Sequence, residues 1–168
     1  MTETEIKLED ARTQLELAHA NVTSGKIVRS CINSFISLAR SVTFLLQKET
    51  SGIPELTAWY EQKMDHLKSL PVMVFFQDKR THTIHLGNVH VDLHSVEVHN
   101  IMHEGRLIGK TGTLNVWQFD DAEQYIPGSN KNMFTICKQY LSILEEIVTE
   151  WLNETEKIRS TEKQATSQ

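Results

Sequence analysis

Arg80, His82 and His85 stand close together at the end of an apolar stretch, "VMVFFQDKRTHTIH", Val72 to His85. A guanidinium is always charged and presents its N–H donors in a plane, which suits it to the paired oxygens of a carboxylate or phosphate. An imidazole titrates near neutral pH, so it can take or deliver a proton where a bond to oxygen changes. Together the two types can hold an anion and move a proton beside it. They also have a plainer use: at a helix C-terminus, Arg and His interact well with the free carbonyls and the dipole without any chemistry.

A second group lies downstream. His90, Asp92 and His94 alternate, so on an extended strand all three project from one face, and His99 and His103 follow. Imidazole plus carboxylate is a common ligand set for Zn²⁺ or Fe²⁺. The favoured reading is the solvated side of a half-buried sheet whose other side is Val89, Val91 and Leu93. No Cys joins the cluster and no H-E-x-x-H is present, so no metal or other cofactor is expected. "GRLIGKTG" places three residues between Gly105 and Gly109, which breaks the spacing of a phosphate loop and suits a hairpin turn. No G-x-S-x-G occurs.

The elements that must position these side chains follow from periodicity. Leu8, Ala11, Leu15, Ala18 and Val22 recur at helical spacing over Glu5 to about Val22, with Thr2 and Glu5 as a capping box. A longer helix spans Ile27 to Glu49, with a stripe from Val28 to Leu46 wide enough to face two neighbours. Arg40 falls inside that run, either snorkelling to solvent or pointing at a polar partner. Pro54 opens a third helix through Leu67, and Pro71 restarts a short one from Val72 to about Arg80. Asn88 to Phe119 turns to period two. Its two apolar runs are out of phase, which implies a turn or bulge near Ser95. "DDAEQYIPGSN" reads as a loop, with Ser129 or Asn130 capping a last helix to about Ile158.

The fold class is therefore mainly α (α+β): an up-and-down bundle of about four long helices with a small antiparallel β insertion, residues 88–119, before the last helix. With 168 residues, the chain fits a single domain over residues 1–160, and the polar tail 161–168 is expected to be disordered. A hydrophobic content of 39% and a charged content of 23% are ordinary for a globular protein. A net charge of −5 argues against broad non-specific binding to nucleic acid or anionic lipid. No apolar run is long enough for a membrane helix, the N-terminus is acidic, and Cys31 and Cys137 sit among apolar residues without a C-x-x-C. A cytoplasmic chain with two reduced core thiols is the expectation.

"INSFISLARSVTFLLQKE", "AWYEQKM" and "PVMVFFQDKRTHTIH", in that order, resemble bacterial members of the HEPN superfamily. These are helical bundles, many of them metal-independent endoribonucleases of toxin–antitoxin or defence type. Their signature is an Arg followed after four to six residues by a His, and Arg80 and His85 have four between them. The resemblance covers about Ala18 to His85 and the final helix; the β-rich insertion has no counterpart in it. It implies Arg80 and His85 as catalytic residues, with Thr81, His82 and Arg40 in support. It also implies a homodimer, because such ribonucleases build a composite site between subunits. RNA cleavage by the ribose 2′-hydroxyl needs a base, an acid for the leaving oxygen and positive charge on the pentavalent phosphorus, which an Arg and a His can supply.

Two features set limits on that expectation. The family usually has Asn, Asp or His directly after the Arg, and here Thr81 stands there. On a continuous helix, residues five apart are separated by about 140°, so Arg80 and His85 share a face only if the helix bends or ends, or if a second chain contributes. The alternatives are an inactive module that binds a nucleotide or a partner protein, and a metal protein built on His90, Asp92 and His94.

Overall fold

The computed structural model describes residues 1–85, 87, 89–98, 101–103, 106–109, 112–129 and 131–166, except for the side chains of 83–85, 98, 101–103, 106–109, 162, 163, 165 and 166. The elements are α1 (Glu3–Ala20), α2 (Gly25–Thr50), α3 (Pro54–Leu67), α4 (Pro71–His85), β1 (Asp92–Val98), β2 (Ile101–His103), β3 (Arg106–Gly109), β4 (Gly112–Gln118), α5 (Ala122–Tyr125) and α6 (Met133–Thr166). This is the expected helical bundle with a small antiparallel insertion before the last helix. Among the described residues no helix is long and apolar enough to cross a membrane.

The helix starts follow local chemistry. Thr2 and Glu5 form the capping box of α1, with Oγ1 of Thr2 accepting from the Glu5 N–H at 3.2 Å and a Glu5 carboxylate oxygen accepting from the Thr2 N–H at 2.7 Å. Pro54 opens α3, where its missing N–H costs no helical bond. Asn132 starts α6: its Oδ1 accepts from the Thr135 N–H at 2.9 Å, two to three residues later than the expected cap.

Helix α2 lies at the centre and packs on α1, α3, α4 and α6. The Glu3 N–H reaches Glu49 at 3.1 Å, so α1 and α2 are antiparallel. Arg12 bonds Glu145 at 2.9 Å and the His19 ring meets Phe134 at 5.2 Å, so α1 and α6 are antiparallel too. An aromatic cluster fills the space between α2, α4 and α6. The rings of Phe76 and Tyr140 stack at 4.2 Å and 11°, and Phe35, Phe75 and Phe119 meet this pair edge-on. Cys31 and Cys137 are free and buried, and burial pushes the Cys137 thiol well above its ordinary value.

The insertion is an antiparallel arm with nested pairing: β1 with β4, and β2 with β3 farther out. β1 pairs with β4 from Asp92↔Gln118 to Val98↔Gly112 without a break, so the expected irregularity at Ser95 is absent; the register shifts instead between Ile101 and Met102. Both faces of the arm carry exposed apolar side chains, Leu93 on one and Val96 on the other. The phase change at Ser95 thus marks a ribbon open to solvent on both sides, not a bend. Among its described residues only the root is buried, with Trp117 at 5% exposure and, just before β1, Val89 at 3% and Val91 at 1%.

The root is latched to the start of α2. The Val89 N–H donates to Asn33 at 2.8 Å, the Arg29 Nε–H to the Val91 carbonyl at 3.3 Å, and the Trp117 indole N–H to the Val22 carbonyl at 2.9 Å. The Arg29 guanidinium also lies 5.7 Å from the centre of the Trp117 ring.

Three expectations are corrected here. α4 is one helix through His85 and does not end near Arg80. A short helix, α5, occupies the loop after the arm, held where Lys79 of α4 pairs with Asp121 and the Tyr125 hydroxyl donates to Asp78 at 2.9 Å. α6 continues to Thr166, through most of the tail expected to be disordered.

Candidate functional site

Arg80 is carried by α4 and Arg40 by α2, and both are half-buried beside the aromatic cluster. The Arg40 side chain donates to Oγ1 of Thr43, a buried residue one turn on, and the Thr43 carbonyl accepts the Tyr60 hydroxyl at 3.0 Å. The polar partner for Arg40 is therefore on its own helix. Tyr140 of α6 is 1% exposed, and burial pushes its hydroxyl up to about 12. The charges of Arg40 on α2 and Arg80 on α4 both act on that hydroxyl in the opposite direction. Arg40 also opposes the upward shift that burial imposes on Tyr60.

Among the described residues neither guanidinium meets a carboxylate, whereas Arg12 pairs with Glu9 and Glu145 and Arg29 lies 3.7 Å from Asp92. Partial burial raises the attraction of such a cation for any anion that reaches it.

The other candidates fall as follows. Thr81 is exposed and its hydroxyl donates to the Gln77 carbonyl of its own helix at 3.1 Å. His82 is half-buried, and its Nδ1 is buried with no hydrogen-bond partner among the described residues. The side chain of His85 lies outside the described residues, but its backbone belongs to the unbroken α4. On that helix, positions 82 and 85 stand about 200° and 140° around the axis from position 80.

Among the described residues no group of three His, Cys, Asp or Glu side chains is placed to hold a metal ion. His90 is exposed, Asp92 faces Arg29, and Nε2 of His94 lies 2.9 Å from Asp120. His99, and the side chain of His103, lie outside the described residues. Tyr140 and Tyr60 were not picked out by residue type, since both sit at ordinary core positions of their helices. The usable signal was Arg40, a charge inside an apolar stripe.

The fold is that of a helical bundle with a β arm inserted before its last helix, and it carries Arg40 and Arg80 half-buried on two of its helices. Residues 2–124, from the cap of α1 to α5, match the family model described as Bacteriophage lambda protein ea47, and the chain belongs to that family. No curated protein and no solved structure gives a match.

Proposed function

We propose that the chain is an HEPN-like protein that binds the phosphodiester backbone of RNA through Arg40 and Arg80, and that its homodimer cleaves RNA without a metal ion. The observation that carries this reading is that Arg40 and Arg80, on different helices, are both half-buried, meet no carboxylate among the described residues, and both act on the Tyr140 hydroxyl. Arg80 holds the scissile phosphate with paired donors, and Arg40 adds charge that counters the negative charge growing on phosphorus. An imidazole takes the 2′-hydroxyl proton, and another returns a proton to the leaving 5′-oxygen. Because positions 82 and 85 lie off the face of position 80 on an unbroken helix, this reading takes the histidine acting at each Arg80 from the second subunit.

A second reading is a module that binds RNA or a nucleotide, or a partner protein, without cleavage. It is favoured by Thr81, whose hydroxyl is returned to its own helix where the resemblance calls for Asn, Asp or His.

One experiment separates the two. Single-stranded RNA is incubated with the protein in excess chelator, alongside Arg80→Ala, His85→Ala and an equimolar mixture of the two refolded together. The cleavage reading expects loss of at least about 10²-fold in each variant and partial recovery in the mixture, where mixed dimers rebuild one intact site. Binding without cleavage by the unmutated chain establishes the module reading. Neither binding nor cleavage ends both.

A further inference from the structure

The inner part of the arm is a two-stranded ribbon, so β1 and β4 each have an outer edge. The two edges differ in charge. β1 carries Asp92 and Glu97, whereas β4, with the sequence GTLNVWQ, carries no charged residue and no proline, and its residues 112–115 are exposed. Charge and proline are what ordinarily keep a bare edge from pairing with another strand.

The groups that β4 presents outward follow from its root. Gln118 pairs with Asp92 of β1 on one side and forms an antiparallel bridge with Asn132 on the other, where the Phe119 N–H donates to the Lys131 carbonyl at 3.0 Å. Backbone groups alternate sides along a strand, and β4 pairs with β1 without a break, so Thr113 and Asn115 turn theirs to the same outer side as Phe119. Outside the ladder with β1, neither makes a backbone hydrogen bond to a described residue.

The side chains favour a second copy of the same strand. Leu114, 56% exposed, stands opposite Val96, 39% exposed, on one face of the ribbon, and Val116 follows on that face. When another β4 runs antiparallel along the edge with Leu114 at the twofold axis, Thr113 of each copy faces Asn115 of the other. The four residues then exchange four N–H···O=C bonds, and the apolar row Val96–Leu114 continues into its own image across four strands. Two β1 edges would instead bring acidic side chains to one seam. A two-stranded ribbon is marginal in water, whereas three or more strands with an apolar face hold together.

We propose that β4 is a homodimer seam: the outer edges of two copies pair antiparallel about Leu114 and form one four-stranded sheet. The inference is read from β4 alone and requires neither RNA nor Arg40 and Arg80.

The test is sedimentation of the full chain across a concentration series, beside Thr113→Pro and Leu114→Lys, with circular dichroism to verify the fold of each. Thr113→Pro removes an outward N–H that the β1–β4 ladder does not use, and Leu114→Lys sets like charges face to face at the axis. A dimer is expected from the unmutated chain, with each variant weakening it at least about tenfold. Leu114→Cys oxidised with copper phenanthroline should give a covalent dimer, since the opposed side chains lie close and Cys31 and Cys137 are buried. A monomer throughout the series overturns the proposal and leaves the edge to a strand of another protein. No covalent dimer from Leu114→Cys overturns it as well. A dimer unweakened in both folded variants overturns pairing through β4 while leaving the two-subunit site of the cleavage reading to another surface.

Discussion

Tyr140 shows how a single side chain reports on the site. Its hydroxyl is buried among Phe35, Phe76 and the helices that carry Arg40 and Arg80, and burial outweighs both cations to hold its ionisation near 12. The chain has 3 tyrosines, and all are shifted upward: Tyr60 by burial, and Tyr125 by donating to Asp78. Their neutral forms are favoured by folding, so the associated stability is present below about pH 10 and declines as pH rises toward 12. A spectrophotometric titration of the folded protein should show no tyrosine ionising at or below the ordinary value, with Tyr140→Phe removing the last step. A step near or below pH 10 in the folded state would contradict the burial described here. At this scale the sequence was partly readable. Arg40 and Arg80 stand out as charges in apolar context, whereas a tyrosine at a core spacing looks the same whether or not cations converge on it.

Among the elements, α4 and the arm matter most, and the sequence was less transparent for both. The expected end of α4 near Arg80 rested on the polar run after Phe76, but α5 packs on that run through Lys79–Asp121 and Tyr125–Asp78, which supports the helix to His85. Those contacts join residues more than forty positions apart and leave no local pattern. The arm was legible as alternating strands, but its phase change misled, since alternation locates a bend only where one face is buried. Its attachment can be tested at Gly25, the first residue of α2. A Cβ there would lie 3.3 Å from Cη2 of Trp117 and 3.2 Å from Nη1 of Arg29. Replacing Gly by Ala in a helix gains roughly 0.5–1 kcal/mol, but pressing on a ring fixed by its hydrogen bond to Val22 costs about 1–3 kcal/mol. Gly25→Ala should therefore lower stability in denaturant melts by about 1 kcal/mol or more. A stabilised variant would mean that the Trp117 latch is loose.

For the molecule as a whole, the central claim is that two cations from different helices make one site for an RNA phosphate on a chain of net charge −5. A mostly acidic surface repels RNA at long range, so the local pair must carry the attraction and its contribution must show in the salt dependence. The bundle and its insertion could be read from periodicity alone. That Arg40 and Arg80 both act on the Tyr140 hydroxyl could not, because it depends on how α2, α4 and α6 pack. The most direct measurement is the affinity for single-stranded RNA across a salt series, for the unmutated chain, Arg40→Ala, Arg80→Ala and the double variant. The account predicts that each single substitution weakens binding and lowers the log–log salt slope by about 0.7, and that the double variant loses about twice that. Affinity and slope that stay unchanged in the folded double variant would contradict it.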